Sequence, residues 1–210
     1  MSRYFLDVSY MGTGYAGFQI QQNAITIQSE VEQALRTYLK IDIVLTGSSR
    51  TDTGVHALQN FFHFDFEGEV LAGSVYNLNA LLPGRIAVRG IYKMRDGSHC
   101  RFDAVWRQYR YMVYRKKDPF ITDRAYYFPY VVDIALMQEA AAVVLEYTDF
   151  RSFAKRNSQV KTFECRIMES GWEEKDGYFQ YRVRANRFLR GMVRGLVGTM
   201  LQVGRAKIGL

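Results

Sequence analysis

Hydrophobic and polar positions along this chain fall into two successive runs of similar design. Residues 3–10 place Tyr4, Leu6, Val8 and Tyr10 on one face at period two, the alternation of a half-buried strand. The glycine-rich stretch MGTGYAGFQIQQNA then reads as a loop. From Thr26, whose hydroxyl suits an N-cap, Ile27, Val31, Ala34, Leu35, Tyr38 and Leu39 recur at helical spacing. A strand is expected at 42–46. After a loop that holds Asp52, Asn60, Phe62, Phe64 and Phe66 alternate against Phe61, His63 and Asp65 in a further strand. Leu71, Val75, Leu78 and Leu82 mark a helix stopped by Pro83-Gly84, and residues 85–94 close the run as a strand. The predicted order is β-α-β-β-α-β.

The second run begins with QYRYMVYR at 108–115, a strand whose Tyr109, Tyr111 and Val113 share a face. A helix is expected from Asp133 to about Tyr147, with strands near 161–172 and 178–185 joined by the turn Lys175-Asp176-Gly177. The pattern predicts a last helix from about Asn186 to Val203, its apolar face made of Leu189, Val193, Leu196, Val197 and Met200. The order is β-α-β-β-α, so the final strand of the second run is missing, and the residues ending in KIGL are too few to supply it. No linker rich in Pro, Gly or Ser divides the runs. The expected fold is α+β: two βαββαβ-like halves, of the ferredoxin-like and RRM kind, at 1–105 and 106–210. Their antiparallel sheets would be joined or would face each other across a basic cleft.

Composition narrows the function classes. The 210 residues are 48% hydrophobic and 15% aromatic, enough for a sizeable core. The N-terminus alternates instead of offering a basic start and an apolar run, and no stretch approaches bilayer length, so a cytoplasmic protein with no membrane partner is expected. Cys100 and Cys165 have no close partner or flanking histidine pair, which argues against a disulfide framework or a zinc site and reads each as a small buried hydrophobe. The net charge of +7 is unevenly placed: residues 1–105 carry 9 basic against 10 acidic side chains, and residues 106–210 carry 19 against 11. Residues 181–210 hold seven basic side chains, six of them arginine, and no acid. That stretch is either a solvated helix face or a phosphate-binding one, and arginine, with its bidentate guanidinium, tilts toward phosphate. Two four-stranded α+β sheets with aromatic strands and a basic cleft would suit RNA.

GSSRTDTGVHALQNFFHFDF at 47–66 sets one acid, Asp52, between Arg50 and Thr53-Gly54. Taken alone, such an acid is more often a structural salt bridge or a turn-former that caps backbone N–H groups. However, SRTDTGVHALQNFFHFD resembles the R-T-D-x-G-V-H-A signature of the TruA family of tRNA pseudouridine synthases. YMGTGYAGFQIQ, TIQSEVEQAL, LNALLPGRIAV, RFDAVWRQYRYMVY, DFRSFAK and FLRGMVRGLVGTMLQVG follow in the family's order, so the resemblance covers nearly the whole chain.

The resemblance implies isomerisation of uridine to pseudouridine at positions 38, 39 and 40 in the anticodon stem-loop of tRNA, with no metal or cofactor, by a homodimer. Asp52 matches the acid that acts at ribose C1′ as nucleophile or charge stabiliser. A glycosidase that admits water would need two acids. Arg194 matches the arginine that keeps that acid ionised. Tyr109 matches the tyrosine that stacks on uracil and is a candidate for the C5 proton transfer, with Tyr111 as its rival on the same face. Arg50 matches the arginine that assists extrusion of the nucleotide, and Arg187 and Arg190 are expected to bind the RNA backbone. His56 and His63 read as structural. Ser49 stands where the family usually has glycine, and Arg190-Gly191 where histidine is common. Family members continue for several tens of residues with another helix and a closing strand, so an incomplete chain, or a core closed by a partner subunit, is expected. The alternatives are an RNA-binding protein of the same fold that has lost catalysis, and a glycoside or nucleoside hydrolase, for which no second acid is supplied.

Overall fold

The computed structural model describes residues 1–71, 73–156, 160–175 and 177–210, in two compact units, Met1–Ala104 and Val105–Leu210. In the first, β1 (Ser2–Tyr10), α1 (Ile27–Leu39), β2 (Thr46–Gly47), β3 (Ala57–Phe66), α2 (Ser74–Leu81) and β4 (Ile86–Lys93) follow the expected order. The sheet runs β2-β3-β1-β4 with every pairing antiparallel. Leu6, Val8, Phe62, Phe64, Ile86 and Val88 project from the sheet into a core closed by Ile27, Val31, Leu35 and Leu78 of the helices. Thr26 caps α1 as expected: its hydroxyl accepts from the Ser29 backbone at 3.1 Å, and Ser29 Oγ accepts from the Thr26 backbone at 2.9 Å.

The strand expected at 42–46 is reduced to Thr46–Gly47. Ile43 and Leu45 are buried, as their pattern required. The backbone of Leu45 is instead taken up by helix side chains: its N–H donates to Glu32 Oε1 at 2.9 Å, and its carbonyl accepts from Gln28 Nε2 at 2.9 Å. Two polar side chains on α1 thus do what a neighbouring strand would have done.

The second unit contains β5 (Arg107–Tyr114), β6 (Tyr126–Tyr127), α3 (Ile134–Val143), β7 (Ile167–Lys175), β8 (Tyr178–Ala185) and α4 (Met192–Gly204). Its sheet runs β6-β5-β8-β7, antiparallel except for the parallel pairing of β6 with β5. This order answers the missing-strand expectation. The edge beside β5, where the first unit sets β4 against β1, carries the two-residue β6, which arrives from between β5 and α3 rather than after α4. Residues 207–210 form no strand. The α3 helix ends at Val143 in a 3₁₀ turn over Val144–Glu146, and Asp133 caps it by accepting from Ala135 N at 2.8 Å and Leu136 N at 3.3 Å. The turn expected between β7 and β8 falls partly on Asp176, outside the described residues.

The last helix starts at Met192, six residues later than the pattern suggested. The backbone of 186–190 is bonded to neighbouring segments instead. Asn186 N donates to Arg166 O at 3.2 Å, Asn186 Oδ1 accepts from Arg166 N at 2.8 Å, and Arg190 O accepts from Lys155 N at 2.9 Å. Gly191, with φ +81°, reverses the chain into α4. Among the described residues, no helix is long and apolar enough to cross a membrane, and no cluster of His, Cys, Asp and Glu could hold a metal ion.

In the first unit, the glycine-rich loop after β1 lies directly on the loop after β2. Gly12 N donates to His56 Nδ1 at 3.2 Å, and a Cβ on Gly12 would overlap the carbonyl oxygen of Val55, a backbone atom that cannot rotate away. Gly12→Ala is therefore expected to lower stability by about 1–3 kcal/mol through overpacking and to displace the loop that carries Asp52. Gly84→Ala, whose methyl would meet nothing within 4 Å, should stay within about 0.5 kcal/mol of the parent. Chemical denaturation of both variants checks the contrast.

Candidate active site

The chain leaves the first sheet just after β2. Ser48 still pairs, its N–H donating to Phe61 O at 2.8 Å, and Ser49 to His56 then form the loop that carries Arg50 and Asp52. Backbone bonds fix that loop at two points: Phe18 N donates to Thr51 O at 3.1 Å, and Val55 N donates to Asp52 O at 3.2 Å. Gly17, with φ +97°, makes the first contact possible, since a Cβ there would stand 3.0 Å from Thr51 O and 3.5 Å from the Asp52 carbonyl carbon. The Phe18 ring beside it stacks on Phe62 of β3, with centroids 4.5 Å apart and planes at 8°, and occupies the space above Gly47, where a Cβ would strike the ring. The glycine-rich loop is thus filled, and it buttresses the acid-bearing loop.

Side chains complete the support. Asn60 Oδ1 accepts from Ser48 Oγ at 2.7 Å, from Ser49 Oγ at 3.0 Å and from Phe61 N at 2.9 Å, while its Nδ2 donates to Tyr10 OH at 3.1 Å. Tyr10 OH is 2.9 Å from Thr51 Oγ1. Sequence reasoning named none of these as functional. The available signal was Asn60 itself, a polar residue on the stripe otherwise made of Phe62, Phe64 and Phe66. Ser49, the departure from the usual glycine, supplies one of the bonds to Asn60. His56 is structural, accepting from Gly12 N. His63 is buried, with Nδ1 at 3.2 Å from Cys100 Sγ and at 3.4 Å from the Cys100 backbone nitrogen. Burial, helped by the positive Arg3, lowers its pKa, so it holds its place as a neutral ring.

The other expected site residues lie in the second unit. Tyr109 and Tyr111 are half-buried on the β5 face that packs on the unit's core. Tyr109 meets Phe188 edge to face at 5.1 Å, and Tyr111 meets Tyr126 of β6 edge to face at 6.5 Å. Burial pushes the Tyr111 phenol up and the Tyr126 phenol adds to this, while the positive Arg194 guanidinium works against both. Arg194 therefore lies near the second tyrosine of the strand, from its place in the first turn of α4. Arg187 and Arg190 sit in the loop that leads into α4. Arg190 is exposed, whereas Arg187 is half-buried and close enough to Cys165 to oppose the rise that burial imposes on that thiol. Phe188, between them in the chain, was not anticipated, because a lone aromatic in an apolar run gives no sign that it faces a particular strand. Arg50 and Asp52 thus share one loop of the first unit, and Tyr109, Arg187, Arg190 and Arg194 gather on β5 and around the start of α4 in the second.

A family model described as tRNA pseudouridine synthase matches residues 147–210. The chain is 42% identical over 210 residues to tRNA pseudouridine synthase A of Parabacteroides distasonis, covering 99% of this chain and 83% of that protein. It is 42% identical over 213 residues to tRNA pseudouridine synthase A of Bacteroides fragilis, covering 100% of this chain and 84% of that protein. The protein of the same name from Staphylococcus saprophyticus is 36% identical over 208 residues, covering 98% of this chain and 78% of that protein. With identity at this level over nearly the whole chain, the chain belongs to the tRNA pseudouridine synthase A family, whose members are isomerases.

Proposed function

We propose that this chain isomerises uridine to pseudouridine in the anticodon stem-loop of tRNA, at positions 38, 39 and 40, with Asp52 as the reacting acid. The observation that carries the reading is the support given to one acid-bearing loop: buried side chains and two backbone bonds hold Thr51 and Asp52 at the end of a sheet. The base leaves ribose C1′, turns, and rejoins through C5. The Asp52 carboxylate serves as nucleophile or stabilises charge as the glycosidic bond breaks, and no second acid is needed because no water is added. Arg194 keeps that carboxylate ionised against desolvation. Arg50 assists extrusion of the target nucleotide, a step that costs a few kcal/mol of lost stacking. Tyr109 stacks on the extruded uracil, and its hydroxyl takes part in moving the C5 proton. Arg187 and Arg190 hold phosphates. The working form in this reading is a cytoplasmic homodimer that needs no cofactor or metal.

Asp52→Asn keeps the shape of the side chain and removes the nucleophile. Release of tritium from C5-labelled uridine in tRNA should become undetectable in this variant, with tRNA affinity little changed. Substantial turnover by a correctly folded Asp52→Asn protein would remove Asp52 from the role. The same assay separates an isomerase from an RNA-binding protein that has lost catalysis, since only the former releases label.

Tyr109 and Tyr111 stand about 7 Å apart on one strand face, so only one of them stacks squarely on a given base. Tyr109→Phe should retain tRNA binding and lose on the order of a hundredfold or more in single-turnover rate. Tyr109→Leu should lose in addition roughly 1–3 kcal/mol of stacking. Tyr111→Phe should stay close to the parent rate, and a larger defect there than in Tyr109→Phe would move the assignment two residues along the strand.

Charge reversal at Arg187 or Arg190 should weaken tRNA binding without selecting among uridines. It should also make the slope of log K against log salt shallower by about 1 for each phosphate no longer neutralised. Filter binding across a salt series reads both effects, and an unchanged slope would take these arginines out of the phosphate-binding set.

A further inference from the structure

We propose that Asn60 is a positioning residue for Asp52 and acts through Tyr10 and Thr51, an inference that rests on Asp52 being the reacting acid. Asn60 sits on β3 opposite Val8 of β1, 5% exposed, in the strand that follows the loop it serves. Its carbonyl oxygen takes the hydroxyls of Ser48 and Ser49, the two residues at which the chain leaves the sheet. Its amide nitrogen can only donate, so the bond to Tyr10 at 3.1 Å makes the phenolic oxygen the acceptor. The Tyr10 hydroxyl in turn is hydrogen-bonded to Thr51 Oγ1, 2.9 Å away, with either oxygen able to donate. One amide thereby ties the end of β1 to the Asp52 loop through the Tyr10 hydroxyl.

The bonds bracket Arg50. Ser48 and Ser49 are tied before it, Thr51 after it, and Asp52 is the next residue. Tyr10, which carries the link, is itself 4% exposed and lies at the end of β1, where the register with β3 shifts between Val8 and Tyr10. The first two members of the relay are therefore anchored in strands, and only its last member belongs to the loop. An amide is required at position 60. A carboxylate of the same shape would still accept from the serines, but it has no N–H to give Tyr10 and would bring a buried charge. A hydrophobe would remove the acceptor of both serine hydroxyls and the donor to Tyr10 at a buried position. Catalytic groups need to be held within about 0.5 Å of their productive position, and a shift of about 1 Å costs on the order of a hundredfold in rate.

The test measures single-turnover pseudouridine formation and tRNA affinity in the full chain for Tyr10→Phe, Thr51→Val, their double variant, Thr51→Ser, Asn60→Asp and Asp52→Asn. Tyr10→Phe and Thr51→Val should each slow the reaction by about tenfold or more, with tRNA affinity within about twofold of the parent. The double variant should be no slower than the slower single one, because either change severs the same relay. Thr51→Ser, which restores the hydroxyl, should recover most of what Thr51→Val loses, an outcome that general loss of stability would not produce. Asn60→Asp should match Tyr10→Phe in rate. Where burial of its charge prevents folding, the Tyr10 and Thr51 variants decide the matter alone. The proposal is overturned if Tyr10→Phe and Thr51→Val react at the parent rate while Asp52→Asn is inactive, or if their effects multiply in the double variant. Turnover by Asp52→Asn would mark instead the failure of the reading on which the proposal rests, and that variant's own rate tells the two failures apart.

Discussion

One buried side-chain amide, that of Asn60, ties the ends of β1 and β2 together beside the loop that carries Asp52. The inward-facing positions of β3 that follow it are committed to the core, with Phe62 and Phe64 at 0% and 2% exposure. An amide placed among them costs several kcal/mol unless its donors and acceptors find partners. Apart from the N–H of neighbouring Phe61, the partners it finds lie on the segments that flank the loop: the two serines where β2 ends, and the tyrosine where β1 ends. Satisfying the core and fixing the loop are therefore one requirement. A buried polar network of this kind tolerates few intermediate states, since a half-satisfied version is worse than an apolar core.

A second constraint is close approach. Gly12, Gly17 and Gly47 stand where the glycine-rich loop, the Asp52 loop and the Phe18 ring meet, and at each a methyl group would intrude on backbone or on the ring. The absence of side chains there lets Phe18 lie flat on Phe62 and lets its backbone N–H reach Thr51 O. Glycine is used here for packing more than for mobility, and the loop gains rigidity from contacts that any larger residue would forbid.

Much of this was legible in the sequence, and the parts that were not share a cause. Period-two alternation located β1, β3 and β5, and helical spacing located α1 and α2, because each of these elements buries one face and the pattern records which face is buried. The cap at Thr26 was readable because it acts within four residues. The misreadings arose where distant groups competed for the backbone. The strand expected at 42–46 was largely replaced by side chains of α1 that bond Leu45, and the helix expected from Asn186 was delayed by bonds to Arg166 and Lys155. Neither competitor lies near its target in sequence. The edge strand β6 was missed for a related reason: two residues are too short to carry a period, and their place beside β5 is settled by pairing alone. Asn60 was visible as a polar interruption in an aromatic stripe, but its partners at positions 10, 48 and 49 were not.

The basic stretch at 181–210 shows how far composition goes. Seven basic side chains occur there without an acid, and a count of the segment assigns them all to one positive surface. The fold divides them. Arg182 pairs with Glu173 at 3.0 Å, and Arg184 pairs with Glu169 at 3.0 Å, both across the β7–β8 pairing, so these two are balanced by acids from another part of the chain. The Arg205 guanidinium lies 4.0 Å from the centre of the Tyr130 ring, a contact that spends its flat face on an aromatic partner. Arg187, Arg190 and Arg194 remain grouped in the loop before α4 and in its first turn, the same region that holds Phe188 against Tyr109. The salt sensitivity of nucleic-acid binding follows the number of phosphates contacted and not the formal charge. In the proposed reading the phosphate contacts fall to Arg187 and Arg190 of this group, while the same guanidinium chemistry on β8 serves to hold a sheet together.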